Sequence, residues 1–404
     1  MKLILSFASL FLSIFLLQLS SGGVGPLDVL SGAELGFSSA KIGILGSSHF
    51  VGFFSGCWWA PRLMGSVGHS RAFAAFTALG AIGLLSHMLL ISPEAWAVMR
   101  VASGLCIAGC YTIIEAWLQA KVQNATRGRT LAIYRIVDTG GSLFGQLMIG
   151  FLTPAAYQSY ILLGVICCAT VLPLTLTRAM PPAMPDAPRL RPGLAWRLSP
   201  LAVTGVVAAG LTTAAFRMVG PLYGSEVGLR ADQIGLFLAA FVLGGALMQF
   251  PAGWLADRYD RRWVLIGTSL AAIATSVSTA TIGATGIEVV FISAMAFGAA
   301  SFPIYSISAA LAHDRAEDAD RVELSAALMF FYALGAIVSP LAAANLIEAF
   351  GPRALFWFIA IAHGVLVLYS LYRMRQRSTA TPRQPYVWIP RTSFQTGKIF
   401  RRGK

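Results

Sequence analysis

The sequence predicts an all-α membrane protein whose twelve transmembrane helices form two six-helix bundles related by a parallel pseudo-two-fold. Three observations predict it. Hydrophobic residues fill 56% of the 404 positions and charged residues only 12%, about half the charged share with which a soluble domain covers its surface. Apolar runs near the length that crosses a bilayer core, about 20 residues, recur twelve times along the chain. Two sets of six such runs flank one Pro- and Arg-rich stretch and share short stretches of sequence. This composition excludes a soluble enzyme, a disordered chain and a disulfide scaffold. The solvent has to be lipid.

The first six spans are read over residues 3–28, 41–60, 72–91, 95–118, 131–153 and 157–177. The second six are read over 200–223, 232–255, 263–282, 287–312, 324–347 and 354–372. The first run, ending in Ser20, Ser21, Gly22 and Gly23, also has the make-up of a signal peptide. Its removal would leave eleven spans and break the repeat, so it is read as span one. The domain plan is then a bundle over 1–177, a linker over 178–199, a bundle over 200–372 and a basic tail over 373–404.

Orientation follows from the basic residues of the short connections. Of 30 Lys and Arg, three (Arg100, Arg135, Arg217) fall within spans and three (Lys41, Arg230, Arg353) fall in odd-numbered connections. The other 24 fall in even-numbered connections and at the ends. Both termini are therefore expected in the cytoplasm, and an odd number of spans would scramble the partition. The net charge of +13 is this bias and not a nucleic-acid surface, because no basic stripe with interleaved aromatics runs along a soluble face.

The repeat shows in two places. Val24-Gly25-Pro26-Leu27 closes span one and Val219-Gly220-Pro221-Leu222 closes span seven. Gly36-Phe-Ser-Ser-Ala-Lys-Ile-Gly43 then matches Gly228-Leu-Arg-Ala-Asp-Gln-Ile-Gly235 at the same spacing. Parallel six-helix repeats are one of the secondary-transporter plans, with the solute site between halves near mid-membrane.

On these residues the chain resembles the major facilitator superfamily. Gly253-Trp-Leu-Ala-Asp257-Arg258-Tyr-Asp260-Arg261-Arg262, between spans eight and nine, is similar to the family's Gly-x-Leu-Ala-Asp-Arg-x-Gly-Arg-Arg loop, with Asp260 in the place of Gly. The first-half copy around Arg62 and Arg71 lacks the Asp. Arg100-x-x-x-Gly104 resembles a family pattern of span four. Glu115-Ala-Trp-Leu118, Arg127-Gly-Arg129, Tyr134 and Gly145-Gln146 look similar to a bacterial inner-membrane branch. Gly141, Gly145 and Gly150 resemble the antiporter glycine motif, but Gln146 stands where its Pro belongs, so antiport is not implied.

A charge at a helix centre in lipid costs about 2.5–3.5 kcal/mol on insertion scales, so charges kept there usually face a cavity and are paired. At about 100° per residue Arg100, Gly104, Ala108, Tyr111 and Glu115 share one stripe of span four. Arg135 and Asp138, at i and i+3 of span five, can pair with each other, or Arg135 can meet Glu115. Glu115 and Asp138 are the candidates for a proton or solute site, the alternative being a static network that holds spans four and five. Asp28 and Arg217 are expected to meet as an outer gate, or Arg217 to bind an anionic solute. Gly253, Asp257, Arg258, Arg261 and Arg262 are inner-gate candidates, with Asp314 or Glu317 as partners and Asp257 as a cap of a neighbouring helix. His49, His87, Gln146, Gln249, Tyr305, Tyr332 and Asn345 are further polar candidates. Pro303 with Gly298 weakens span ten.

No metal, catalytic or cofactor site is expected. The five cysteines lie in apolar runs without zinc spacing, and no Gly-x-x-x-x-Gly-Lys-[Ser/Thr] loop is present for ATP. The expected function is secondary active transport of a small solute by alternating access, with or without protons. A sensor that kept the fold and an intramembrane enzyme are the alternatives. The expected partners are the solute, protons and anionic inner-leaflet lipid under the tail, and the protein is expected to be a monomer in a bacterial cytoplasmic membrane.

Overall fold

A computed structural model of the chain describes residues 2–122, 126–176, 189–282, 286–376, 386–387 and 392. The residues cluster into two compact units. The first comprises the described residues within Met1–Phe37 and Ser48–Ala187, and the second those within Ser38–Ser47 and Pro188–Arg402.

The first unit is built on α1 (Lys2–Glu34), most of α2 (Ser39–Val67), α3 (His69–Ser86), α4 (Pro93–Lys121), α5 (Arg127–Leu147), α6 (Tyr157–Ala169) and α7 (Val171–Thr175). The second contains α8 (Pro192–Leu198), α9 (Pro200–Glu226), α10 (Ala231–Arg258), α11 (Arg261–Ile282), α12 (Ile287–Ser301), α13 (Pro303–His313), α14 (Arg321–Phe350) and α15 (Ala354–Gln376). The first turns of α2 group with the second unit, where the Ala40 N–H donates to Glu348 Oε2 at 2.9 Å.

Nine helical segments among the described residues are long and apolar enough to cross a membrane. The helices α2, α3 and α5 occupy the other three expected spans. The apolar run of α5 is diluted by Arg127, Arg129, Arg135 and Asp138, and α3 has only 18 residues. Two spans are interrupted. Span six breaks between α6 and α7, where the Thr170 hydroxyl bonds the Cys167 carbonyl at 2.7 Å. Span ten breaks at Phe302, before Pro303, as expected, because a proline brings no N–H to the helical ladder.

The distribution of side chains is that of a protein dissolved in lipid. Ile82, Val98, Phe250, Ile361 and Leu368 are all more than 60% exposed, while Asp28, Arg100, Glu115, Arg135, Asp138 and Arg261 are buried. A water-soluble globule keeps its charges outside. Here charged groups are buried while many large apolar side chains are left outside.

The two units repeat the same helix contacts. In the first, a Cβ on Gly52 would lie 2.0 Å from the Val101 carbonyl oxygen, and one on Gly104 2.0 Å from that of His49. In the second, a Cβ on Gly244 would lie 1.9 Å from the Met295 oxygen, and one on Gly298 2.0 Å from that of Phe241. Spans two and four, and spans eight and ten, thus touch backbone to backbone through reciprocal glycines, the close packing that small residues permit in membranes. The glycine of the Arg100-x-x-x-Gly104 pattern is one of the four.

Gly104→Leu is expected to lower the thermal midpoint of the detergent-purified protein clearly, because overpacking costs about 1–3 kcal/mol or more. Gly267→Ala, where a Cβ meets nothing within 4 Å, should leave it unchanged. Equal midpoints for the two variants would show that the backbone contact is not tight.

Candidate functional site

Inside the first unit α4 and α5 bring together most of the charged candidates. Arg135 reaches both carboxylates, with Nη2 at 3.4 Å from Glu115 Oε1 and Nη1 at 3.3 Å from Asp138 Oδ2. Both pairings read as alternatives from the sequence are therefore made at once by one guanidinium. The tyrosines Tyr111 and Tyr134 complete the shell. The Tyr111 hydroxyl donates to Asp138 in a short bond, and the Tyr134 hydroxyl donates to Glu115 Oε1 at 3.3 Å. Gln18 of α1 adds its amide to Asp138 Oδ1 at 3.1 Å. All but Gln18 are buried.

The arrangement follows from the chain locally. Tyr111 and Glu115 stand one helical turn apart on α4, and Arg135 and Asp138 nearly one turn apart on α5, so two adjacent turns of each helix face each other. Gly141 and Gly145 let α5 approach α1, since a Cβ at either would fall within 2.8 Å of an α1 carbonyl oxygen. That approach brings Gln18 to Asp138. The span-five glycines thus have a packing role here. Gln146, next on α5, is buried with no partner for its Oε1 among the described residues.

Asp28 and Arg100 form a second cluster in the same unit. Arg100 Nε lies 3.4 Å from Asp28 Oδ2, His87 Nε2 lies 3.4 Å from the same oxygen, and the Tyr160 hydroxyl donates to Asp28 Oδ1 at 3.0 Å. The sequence reading gave Asp28 a different partner, Arg217, which is half-buried on α9 of the second unit. Distance along the chain hid this set, because Asp28, His87, Arg100 and Tyr160 come from four different segments.

In the second unit the loop signature is organised around Arg261, which is 1% exposed. Its guanidinium donates to Asp314 Oδ1 at 2.5 Å and to the Ala310 carbonyl at 3.1 Å, with Asp257 at 3.4 Å. Of the two acids expected as partners, Asp314 is the one used. Asp260, which replaces the motif glycine, holds Arg262 at 2.7 Å, and the exposed Arg258 lies over the Trp254 ring. Among the described residues Asp257 caps no helix N-terminus. It accepts the backbone N–H of Tyr386 at 2.7 Å, while the Tyr386 hydroxyl donates to Gln249 Oε1 at 2.8 Å. A Cβ on Gly253 would lie 2.6 Å from the Tyr386 ring, so this glycine leaves room for a tail aromatic. Sequence reasoning gave the tail a lipid role only. That role rests on basic residues from 373 onward, most of which lie outside the described residues. Tyr305, on α13, is buried with its ring 5.4 Å from that of Tyr332.

The sequence matches the Major Facilitator Superfamily over residues 10–226 and again over 201–404, one match for each half. The chain belongs to that superfamily. Among its relatives, an uncharacterized MFS-type transporter of Enterobacter sp. (strain 638) is 28% identical over 367 residues, covering 90% of this chain and 94% of the relative. The MFS-type transporter YcaD of Escherichia coli O7:K1 (strain IAI39 / ExPEC) is 27% identical over 360 residues, covering 89% and 93%. The crystal structure of the nucleoside transporter NupG shares the fold with a TM-score of 0.75 at 17% identity, over 94% of this chain and 100% of that one. The protein is thus a multi-pass membrane protein of a transporter family and of its poorly characterised bacterial branch.

The facilitator loop is expected to depend on its buried pair. Asp314→Ala strands the Arg261 charge, a change that costs about 3–5 kcal/mol, and should lower the thermal midpoint far more than Asp257→Ala, whose side chain is 47% exposed. A joint Arg261→Met, Asp314→Leu variant should recover most of the loss. Equal effects from the two single variants would remove Arg261–Asp314 as the anchor of the loop.

Proposed function

We propose that the protein is a secondary active transporter that moves a small solute by alternating access, coupled to protons through Glu115, Arg135 and Asp138. One observation carries the coupling: Arg135 is shared by two buried carboxylates at nearly equal distances, 3.4 and 3.3 Å. A proton taken up by either carboxylate cancels its hold on the guanidinium, and Arg135 then closes on the other. A nearby cation favours the charged form of a carboxylate, so the position of Arg135 and the position of the proton are tied. Tyr111, Tyr134 and Gln18 supply hydrogen bonds that keep whichever carboxylate is ionised from being stranded. Solute contact falls to the same α4 and α5 face, with Gln146 as a polar group there. Arg217 and Tyr305 are the candidates of the second unit.

The loop around Arg261 serves as the inner gate. Arg261–Asp314 is its fixed element, and the half-exposed Asp257 with Arg258 is its changeable one, because only groups reached by water exchange partners at low cost. The membrane is the cytoplasmic membrane of a bacterium, with both chain ends inside and the basic tail against anionic lipid. Each chain works as a monomer.

A thermal-shift screen against solute classes, followed by flux into proteoliposomes with and without a pH gradient, tests the reading. A pH gradient is expected to drive uptake of the solute that shifts the midpoint. Glu115→Gln and Asp138→Asn should each slow that uptake roughly tenfold, the effect of about 1.4 kcal/mol, and flatten its pH dependence. If both variants keep normal flux and normal pH dependence, the network only holds the helices together.

A further inference from the structure

We propose that Arg262, Arg315 and Arg373 form, with the start of α9, a binding site for a phosphate group at one end of the second unit. The site is a cleft with an inner volume of about 20 Å³, lined by these three arginines, Leu311, Ser199 and the first residues of α9. Four segments distant in the chain meet there. Arg262 lies in the first turn of α11, Arg315 follows α13, Arg373 lies in the last turn of α15, and Ser199 caps α9. The three arginines are half-buried, and the lining residues include no carboxylate. The acids closest in the chain are already engaged: Asp260 holds Arg262 at 2.7 Å, and Asp314 is held by Arg261 at 2.5 Å. Arg373 donates to the Gln376 amide oxygen at 2.9 Å, a partner that brings no charge.

Charge and shape decide what such a cleft takes. α9 runs for 27 residues, and the start of a helix carries roughly half a positive charge. Ser199 Oγ accepts the Ala202 N–H at 3.3 Å and Pro200 has no N–H, so Leu201 supplies the first N–H of this helix. Like charges held together raise one another's energy, and an anion among them lowers it. A guanidinium presents a planar fork of N–H donors that matches phosphate oxygens. Forks arriving from three helices suit a tetrahedral group, with oxygens on every side, better than a planar carboxylate. The inner volume takes one oxygen-sized group, with the rest of the phosphate at the mouth. Membrane orientation requires basic residues at one end of a bundle, but it does not require that three helices bring them to one cleft. Depth favours a lipid as the source. Trp263 and Tyr372, the chain neighbours of Arg262 and Arg373, are 58% and 55% exposed, and such aromatics sit at the level of the headgroups. A phospholipid headgroup and free phosphate share the chemistry that the cleft recognises.

The site does not rest on the transport reading, and its test measures binding alone, on the full chain in detergent. In calorimetric titrations of delipidated protein, inorganic phosphate is expected to bind where chloride at equal ionic strength does not. Arg315→Gln and Arg373→Gln should each weaken that binding about tenfold or more, the loss of one hydrogen bond to a charged group. Arg375→Gln, which removes an exposed charge from the same helix end, should leave it intact. Native mass spectra separate the two sources. A wild type that retains phosphatidylglycerol over phosphatidylcholine, loses that preference in Arg315→Gln, and binds no phosphate while the lipid is held has a headgroup site. Phosphate binding that added phosphatidylglycerol leaves unchanged makes it a site for free phosphate. Binding of neither ligand beyond chloride, or equal losses in Arg375→Gln and Arg373→Gln, overturns the proposal and leaves only a basic surface. Should Arg315→Gln fail to fold, Arg315→Lys keeps the charge and loses the fork, and undiminished binding in that variant refutes the site.

Discussion

Every charge inside this chain has to be answered by another side chain, because the hydrocarbon outside answers none. That constraint shapes what the two units have in common and where they differ. Charged groups are drawn into compact clusters, each stitched from several helices: Glu115, Arg135 and Asp138 with two tyrosines; Asp28, Arg100 and His87 with a third; Arg261 with Asp314. Many aliphatic residues, Val98 and Leu368 among them, are left to face lipid. Close glycine contacts then do the packing work that apolar burial does in water, since lipid offers no hydrophobic gain for bringing apolar helices together.

The clusters differ in how well they are matched, and the difference sorts their roles. Arg261 has a buried carboxylate at 2.5 Å, a backbone carbonyl at 3.1 Å and the more exposed Asp257 at 3.4 Å, so one close contact dominates. Arg135 serves two acids at longer distances, and Asp28 is shared by Arg100, His87 and Tyr160. A well-matched pair suits a fixed loop, and the unevenly shared clusters are where the proposed rearrangement is placed. The two uneven clusters both lie in the first unit, and the loop signature lies in the second. The two repeats therefore carry unlike chemistry.

The neighbourhood of the tail shows how a family pattern can acquire a local use. Gly253 opens the loop signature, and here its missing side chain makes room for the Tyr386 ring, while the motif's Asp257 receives the Tyr386 backbone N–H. A glycine read from the sequence as part of the inner-gate loop thus also seats an aromatic from more than a hundred residues away.

The sequence alone determined the solvent, the number of spans, the two-part repeat and the chemistry of the charged residues, because these follow from composition, run length and local spacing. It placed Arg135 beside Asp138, one helical step apart, and it put Tyr111 and Glu115 on one stripe of α4. It marked span ten as weakened at Pro303, a matter of one missing N–H. Only the tertiary structure decided that one guanidinium joins Glu115 to Asp138, that Gln18 reaches Asp138, and that Asp28 belongs with His87, Arg100 and Tyr160. Those contacts depend on the rotation and depth of helices that are distant in the chain. Rotation and depth are set by backbone contacts such as Gly52 with Val101 and Gly141 with Phe15, which hydrophobic periodicity cannot register because glycine carries no side chain to count.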